Sequence, residues 1–249
     1  MTLRLLVGAA SDVGKVRDHN EDAYLVDDQL GLVAVADGMG GHQAGEVASA
    51  TALEALRAAV GSGEGVRDAV NSANQAVYEK SNTDEQLRGM GTTLIAATLA
   101  AGGTVLLAHV GDSRAYELHD GELHRVTTDH SLVEELIQAG ELTEAEAEDD
   151  PRRSMITRTI GIEPEVDVDL YPVEVKGGDR LLICSDGLTG MVDEDAIASI
   201  LRNEPDPTAA SRQLVDAANR GGGLDNITAL VVDVVDDEDA TAAVPTVEP

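Results

Sequence analysis

The sequence predicts an α+β fold whose strands form antiparallel sheets. One hairpin is visible directly, since the run from Ala115 to Leu118 turns back through Asp120-Gly121 into the run from Leu123 to Val126. Segments with a helical period are grouped between such strands and do not follow each strand in turn. This grouping favours hairpin-connected, antiparallel sheets over repeated β-α-β units.

Further strands are predicted where short runs of β-branched and aliphatic residues occur. These runs are five to nine residues long and lie at 32–36, 105–110, 181–185 and 227–235. Each is bounded by an Asp-Gly, Gly-Asp or Asp-Asn pair. Runs of this length between turn residues are typical of buried strands that end in tight turns.

Helices are predicted where apolar residues recur on one face, at 46–60, 66–78, 131–139, 196–201 and 207–220. Asp129 is expected to cap the third of these helices, Asp193 the fourth and Asp206 the fifth, which also begins with a proline. Gly140 and Gly221 are expected to end two of them. Each helix can cover a sheet with one apolar face.

Four aspartates lie at the ends of the predicted strands. Asp37, Asp112 and Asp186 come just after an apolar run, and Asp225 comes just before one. A carboxylate in such a position points towards one rim of a sheet. If the four rims coincide, the carboxylates repel each other unless a cation lies between them. The sequence therefore predicts a divalent metal cluster.

The candidate ligands are all hard oxygen atoms, which suit Mg²⁺ or Mn²⁺ better than Zn²⁺. Besides the four aspartates they include the carboxylates of Glu21 and Asp22 and turn carbonyls such as that of Gly38. The six histidines form no His-Glu-x-x-His motif, and Cys184 is the only cysteine, so a thiolate zinc site is excluded.

Length and charge limit the other possibilities. The 249 residues are predicted to form one domain over 1–235, followed by an acidic, Ala/Thr/Pro-rich tail at 236–249 that is expected to be disordered. The net charge of −30 argues against nucleic acid as a partner. No apolar stretch is long enough to cross a membrane, and a single cysteine is typical of a reducing cytoplasm, where we expect the protein to act.

Six motifs follow one another along the chain. They are Arg17-Asp18-His19-Asn20-Glu21-Asp22, Asp37-Gly38-Met39-Gly40-Gly41-His42, Gly91-Thr92-Thr93, Gly111-Asp112-Ser113-Arg114, Ser185-Asp186-Gly187 and Asp225-Asn226. In this order they resemble the bacterial metal-dependent serine/threonine phosphatases of the PP2C (PPM) family.

The resemblance implies a fold and an activity. The fold is a central sandwich of two antiparallel sheets, flanked by helices on both faces, with the metals at one end. The activity is hydrolysis of phosphoserine and phosphothreonine in proteins by attack of a metal-bridging hydroxide on phosphorus. The expected partners are phosphorylated proteins, including Ser/Thr kinases and their substrates, and we expect the chain to be a monomer.

The resemblance also implies a role for each carboxylate. Asp37 would bridge two tightly bound Mn²⁺ or Mg²⁺ ions, and the carbonyl of Gly38 would complete the coordination of one of them. Glu21, Asp186 and Asp225 would hold the other ion. These residues are therefore expected to form a dinuclear centre.

Three further residues complete the implied site. Asp112 is expected to hold a third, weaker ion together with Asp186, and Asp22 to orient waters and ligands around the metals. Arg17 lies four residues before Glu21, where the phosphate-binding arginine of the family stands, and its planar fork can bind two phosphoryl oxygens. The residues expected to act in catalysis are Arg17, Asp37, Asp112 and Asp186.

The sequence departs from the family pattern in two places. Met39 stands where animal members carry a histidine proposed as the general acid, so either His42 or water on the third metal has to supply the proton. Residues 142–169, called the flap below, resemble the mobile segment beside the site in bacterial members. Within the flap, Asp150 and Ser154 replace the His and Asn expected there, so this departure concerns the flap and not the metal ligands.

Other classes of protein remain as alternatives. A metal-dependent nuclease or pyrophosphatase would use a similar carboxylate cluster, but the acidic charge argues against a nuclease and the order of the motifs argues against both. A degenerate phosphatase fold or an acidic cation-binding module would be favoured by the loss of a core carboxylate, and Glu21, Asp37, Asp186 and Asp225 are all present. A serine hydrolase is disfavoured because the chain has no Gly-x-Ser-x-Gly motif.

Overall fold

The computed structural model describes residues 3–40, 44–100, 102–148 and 150–236. The strands in these ranges are β1 (Leu3–Asp12), β2 (Asp22–Asp27), β3 (Leu32–Met39), β4 (Gly91–Thr92), β5 (Leu94–Ala100), β6 (Thr104–Val110), β7 (Arg114–His119), β8 (Glu122–Arg125), β9 (Asp169–Glu174), β10 (Arg180–Cys184) and β11 (Ile227–Asp236). The α-helices are α1 (Ala44–Gly61), α2 (Val66–Thr83), α3 (Leu132–Gln138), α4 (Glu144–Glu148), α5 (Asp186–Thr189), α6 (Glu194–Asn203) and α7 (Pro207–Gly221), and a 3₁₀ turn spans Glu85–Leu87.

The strands form two antiparallel sheets. The order in the first sheet is β1-β11-β10-β7-β8, and the order in the second is β2-β3-β5-β6-β9, with the short β4 paired to β3. The β7–β8 hairpin turns at Asp120 and Gly121, whose φ angles of 48° and 84° are those of a tight hairpin turn. The predicted antiparallel α+β class is confirmed.

The two sheets pack face to face around an apolar core, as the alternation along β3 illustrates. Val33 and Val35 contact the other sheet, whereas Leu32, Ala34 and Ala36 contact the helical layer over their own sheet. Because side chains alternate across a strand, a strand that is buried on both faces is apolar throughout. This is why the sequence shows continuous apolar runs.

Helices cover both outer faces of the sandwich. Helices α1 and α2 pack on the second sheet, where α1 buries Ala48, Ala52 and Leu56 at a spacing of four residues. Helices α5, α6 and α7 pack on the first sheet, where Ile197 of α6 and Leu214 of α7 are fully buried. The expected sandwich with helices on both faces is confirmed.

Two of the predicted helix caps are present as expected. The side chain of Asp193 accepts a hydrogen bond from the Ala196 N–H at 2.8 Å, and that of Asp206 accepts one from the Thr208 N–H at 2.9 Å. Both carboxylates therefore satisfy amide groups that the first turn of a helix leaves without a partner.

The predicted cap of α3 is wrong. Ser131, not Asp129, accepts the hydrogen bond from the Glu134 N–H. The Asp129 carboxylate instead forms a bidentate pair with Arg114 and a second ion pair with Arg125. Two charged partners bind this carboxylate more strongly than one helix amide does.

The end of the chain is only partly described. Strand β11 extends to Asp236, which lies opposite Leu3 of β1 in the sheet. The rest of the predicted tail, 237–249, lies outside the described residues. Within the described ranges, none of the helices is both long and apolar enough to cross a membrane.

Candidate active site

The strand-end carboxylates meet at one end of the sandwich. In the second sheet, Asp22 at the start of β2 lies directly opposite Asp37 near the end of β3. In the first sheet, Asp186 follows β10 and Asp225 precedes β11, and these two strands are antiparallel neighbours. Strand β7 lies on the other side of β10, and its first residue, Arg114, pairs with Cys184, the last residue of β10. Asp112, two residues before Arg114, therefore lies at the same end of the sheet.

Burial and crowding raise the pKa values of four of these carboxylates. Burial, followed by the negative charges of the other four aspartates, raises the pKa of Asp37 well above its usual range. Burial and the charge of Asp186 raise the pKa values of Asp22 and Asp112 to about 7, and burial and the charge of Asp225 raise that of Asp186. Such crowding destabilises the ionised carboxylates unless positive charge is supplied.

Three oxygen atoms in this cluster fit a hard divalent cation. Asp22 Oδ1, Asp112 Oδ1 and Asp186 Oδ1 are buried and have no hydrogen-bond partner among the described residues. Buried polar atoms without a partner are rare in folded proteins and require an explanation. Oxygen-only donor sets suit Mg²⁺ and Mn²⁺, so the residues present fit the ions predicted from the sequence.

Asp22 is buried and links the two sheets. The Ser185 hydroxyl donates a hydrogen bond to Asp22 Oδ2 at 2.7 Å and accepts one from the Thr228 N–H at 3.0 Å. One oxygen of Asp22 is therefore fixed by the first sheet, while the other remains available. This arrangement suits a residue that orients ligands around the metals.

Asp37 is held through its main chain by two threonines. Its N–H donates to the Thr93 hydroxyl at 2.9 Å, and its carbonyl accepts hydrogen bonds from the Thr93 N–H at 2.9 Å and the Thr92 hydroxyl at 2.8 Å. The side chain of Asp37 forms no part of these contacts. Its carboxylate is thus positioned by the backbone and remains available to ligands.

Gly38 allows three backbone segments to approach closely. Its N–H donates to the Glu21 carbonyl at 3.2 Å, and a Cβ atom at this position would lie 2.2 Å from the Gly45 carbonyl oxygen. Gly45 in turn leaves room for the Glu21 carboxylate, because a Cβ atom at Gly45 would lie 2.6 Å from Glu21 Cδ. The two glycines therefore let the start of α1 lie against β3 and Glu21.

Asn226 fastens the loop that carries Glu21 and Arg17. Its Oδ1 accepts a hydrogen bond from the Glu21 N–H at 2.8 Å, and its Nδ2 donates to the carbonyls of Val13 and His19 at 3.0 and 2.9 Å. The sequence showed Asn226 only as part of a motif. Its role depends on contacts between residues more than 200 positions apart, which no local pattern reveals.

Arg17 lies at the edge of the cluster and is largely exposed. Its Nη2 is 2.8 Å from Asp225 Oδ2, and the two side chains are 49% and 36% exposed. Partial burial opposes the charge of Arg17, but the carboxylates of Asp225, Glu21 and Asp37 leave its pKa raised. The structure thus brings the predicted phosphate-binding residue to the predicted metal ligands.

Met39 holds the position at which the family pattern would place a proton donor. Met39 lies in β3, opposite Gly91 of β4, and has no ionisable group. His42, the candidate proton donor, lies outside the described residues. Its role therefore stays a prediction.

A second group of possible ligands lies at the far end of the first sheet. Glu117, His119 and Asp179 place one ligand atom each within 4.8 Å of one another. His119 Nδ1 already lies 2.9 Å from Asp179 Oδ1, and the Lys176 N–H donates to Asp179 Oδ2 at 2.8 Å. The contacts of His119 and Asp179 with each other and with Lys176 account for this grouping without a cation.

Comparison with known proteins agrees with this geometry. The sequence profile of the family described as Protein phosphatase 2C matches residues 15–217. The serine/threonine phosphatase stp of Listeria welshimeri is 39% identical over 236 residues, which cover 90% of this chain and 93% of that protein. The serine/threonine protein phosphatase PstP of Mycobacterium tuberculosis is 42% identical over 243 residues, which cover 95% of this chain and 46% of that longer protein.

Solved structures show the same similarity. The crystal structure of the Mycobacterium tuberculosis phosphatase PstP/Ppp superposes with a TM-score of 0.87 at 40% identity and covers 93% of this chain and 99% of that one. The catalytic domain of PstP in complex with two manganese ions superposes with a TM-score of 0.85 at 40% identity, over 94% of this chain and 100% of that one. The chain belongs to the protein phosphatase 2C family.

Proposed function

We propose that this protein is a Mn²⁺- or Mg²⁺-dependent phosphatase that removes phosphate from phosphoserine and phosphothreonine in proteins. The observation that carries the proposal is the meeting of five aspartates at one end of the sandwich, three of them with a buried oxygen that lacks a hydrogen-bond partner in the described chain. Membership of the family and the two manganese ions of the PstP structure support the same conclusion.

The proposed ligands divide between the two sheets. Asp37 and the Gly38 carbonyl, together with Glu21, Asp186 and Asp225, would hold two ions. Asp112 and Asp186 would bind a third, weaker ion. When bound, a pair of such ions makes water a hydroxide nucleophile at neutral pH and neutralises charge on the phosphoryl group.

The remaining residues of the site bind, orient and exchange protons. Arg17 leaves its exposed ion pair with Asp225 and binds two phosphoryl oxygens of the substrate. Asp22, fixed through Ser185, orients the solvent and ligands beside it. Because Met39 cannot donate a proton to the leaving alkoxide, His42 or water held near Asp112 supplies it.

The proposed setting follows from the family and from composition. The protein acts on phosphorylated proteins, and Ser/Thr kinases and their targets are the proposed substrates. Cys184 is a buried free thiol, as is typical of proteins from a reducing compartment, so we place the activity in the cytoplasm. We propose that the chain acts as a monomer.

The test is hydrolysis of phosphoserine and phosphothreonine peptides with Mn²⁺ or Mg²⁺ between pH 7 and 9. Turnover is expected with either metal, and excess chelator should abolish it. A phosphotyrosine peptide and a duplex DNA serve as controls for substrate class. Full turnover in excess chelator, or cleavage of DNA without hydrolysis of the peptides, would overturn the proposal.

A further inference from the structure

His130 contacts the backbone of Gly111, the residue before Asp112, in two ways. The His130 N–H donates to the Gly111 carbonyl at 2.8 Å, and the Gly111 N–H donates to His130 Nδ1 at 3.0 Å. The ring is buried and stacks on His109, with the ring centroids 4.8 Å apart. His130 therefore fixes both polar groups of Gly111, the carbonyl through its backbone N–H and the N–H through its imidazole.

Gly111 occupies a position that only glycine fits without strain. Its φ of 113° lies in the region that favours glycine, and a Cβ atom there would lie 2.6 Å from Cβ of Thr93. The Thr93 hydroxyl lies 2.8 Å from the hydroxyl of Ser113, on the other side of Asp112. The position of the Asp112 carboxylate is therefore set by the residues that hold its two neighbours.

The opposite edge of the His130 ring faces the flap. Because Nδ1 accepts a hydrogen bond, the neutral ring carries its proton on Nε2, which lies 3.2 Å from Asp169 Oδ2. Arg158 Nη1 lies 3.0 Å from the same Nε2 and donates to Asp169 Oδ1 at 2.8 Å. Arg158 Nη1 and His130 Nε2 are both donors and cannot bond to each other. The Asp169 carboxylate holds them close together because it accepts from both.

Main-chain contacts join the flap to the same turn. The Thr157 N–H donates to the His130 carbonyl at 2.8 Å, and the Leu132 N–H donates to the Met155 carbonyl at 2.8 Å. A β-bridge links Ser131 to Ile156 between these two hydrogen bonds. The flap is thus connected to the turn at 130–132 by its backbone and to the His130 ring by its charged side chains.

We propose that His130 is a positioning residue that couples the flap to Asp112, with Arg158 of the flap and Asp169, where the flap joins β9, as its partners. Its hydrogen bonds reach Gly111 and the flap, so it would act on Asp112 indirectly. It holds Gly111, and through Gly111 it sets the carboxylate proposed for the third ion. This inference rests on the proposed function. It predicts that removing the contact of Asp169 or Arg158 with His130 lowers the affinity of the site at Asp112 for the third ion.

The test compares two flap variants in the full chain. Asp169→Ala removes the carboxylate that joins Arg158 to His130, whereas Arg152→Ala removes a flap ion pair, with Asp150, that does not reach His130. In a calorimetric Mn²⁺ titration, Asp169→Ala should weaken the third ion about tenfold or more and leave the two tight ions in place. Arg152→Ala should titrate like the wild type.

A second measurement does not depend on the metal-loaded enzyme. Amide hydrogen exchange is measured without added metal. The peptide that contains Gly111 should exchange faster in Asp169→Ala than in wild type. In Arg152→Ala its exchange rate should equal that of wild type. His130→Asn, whose Oδ1 can still accept from the Gly111 N–H, should preserve more of this protection than His130→Gln. Equal exchange in all four variants would contradict the proposal even if His130→Gln folds poorly, because Asp169→Ala tests the same contact.

A double-variant cycle separates positioning from general destabilisation. If His130 acts through Asp112, adding Asp169→Ala to Asp112→Ala should lower kcat no further, because the interaction is already lost. Additive effects would overturn the proposal. A wild-type chain that neither binds Mn²⁺ nor hydrolyses phosphopeptides would instead contradict the proposed function, so the two failures are distinguishable.

Discussion

Arg17 combines two properties that a substrate-binding residue needs. It lies beside the proposed metal ligands, and its ion pair with Asp225 is exposed to solvent. Exposed pairs contribute only about 0–1 kcal/mol to stability because solvent screens them. Arg17 can therefore leave Asp225 at little cost and bind a phosphoryl group with both ends of its fork.

Replacing Arg17 by alanine should lower kcat/KM for phosphopeptides while the fold is kept. A charge-assisted contact of this kind is worth about 1.5–3 kcal/mol, which corresponds to roughly a 10- to 150-fold loss. If the contact is equally strong in ground and transition states, KM should rise more than kcat falls. Steady-state kinetics with a phosphoserine peptide measures both constants.

Two variants serve as controls for Arg17→Ala. Arg17→Lys keeps the charge but loses the planar fork, and it should recover only part of the activity. Lys15→Ala removes a neighbouring exposed cation and should leave kcat/KM close to that of wild type. An unchanged kcat/KM for Arg17→Ala would make Arg17 a structural residue.

At the level of elements, β6 carries an unusual buried histidine. His109 is fully buried, and neither ring nitrogen has a hydrogen-bond partner within the described parts of the chain. Burial, followed by the nearby His130, lowers the pKa of His109 to about 3. The folded protein therefore keeps this ring neutral, whereas the unfolded chain protonates it near pH 6.5.

The sign of the resulting pH dependence follows from proton binding. Between pH 6.5 and pH 3 the unfolded state binds a proton at His109 that the folded state does not bind. The free energy of unfolding is therefore highest above pH 6.5 and decreases as the pH falls below it. The loss has an upper bound of about 1.4 kcal/mol per pH unit. The variant His109→Leu should lack this pH-dependent loss of stability.

Urea unfolding of wild type and His109→Leu at pH 7.5, 6.5 and 5.5 measures this difference directly. The free energy of unfolding of wild type should fall relative to that of the variant below pH 6.5. Comparing the two proteins at each pH cancels the titration of the carboxylate cluster. Parallel curves over this range would show that His109 is not the source of the dependence.

Much of the fold and site is predictable from the sequence because the signals are local. Apolar runs followed by turn residues predicted the strands that end at the site, and Asp193 and Asp206 predicted helix starts that the structure confirms. The carboxylates of Asp37 and Asp186 were found because they stand at strand ends. The strand β3, however, continues past Asp37 to Met39, so the apolar run alone placed its end too early.

The remainder depends on contacts between distant parts of the chain. The first strand pairs with the last, since β1 lies beside β11, and no local pattern reveals this. Ser185 binds Asp22 across 163 positions in the sequence. Asp129 looked like a helix cap until the fold brought Arg114 and Arg125 to it. The contacts of these residues exist only in the folded protein, so the local sequence does not predict them.

At the scale of the whole molecule, charge is the dominant property. The chain has 47 acidic and 17 basic side chains, which give a net charge of −30. Repulsion between these charges destabilises the folded state when screening is weak. The screening length is about 30 Å at 0.01 M salt and falls to about 3 Å at 1 M, so salt should remove most of the surface repulsion.

The melting temperature should therefore rise steadily from low salt towards molar KCl, and NaCl should give a similar curve. The measurement requires saturating Mn²⁺, because the carboxylates at the site are expected to be neutralised by the metal and not by salt. A flat or falling curve would show that the acidic surface does not limit stability.

The central claim is that the strand-end carboxylates form a multinuclear metal centre, and a calorimetric Mn²⁺ titration tests it most directly. Wild type should bind two ions tightly and a third weakly. Asp112→Ala should keep the two tight ions and lose the weak one, whereas Asp37→Asn should lose the tight pair. Asp28→Asn, an exposed turn residue, is the control and should match wild type. Two tight ions retained in Asp37→Asn would contradict the account.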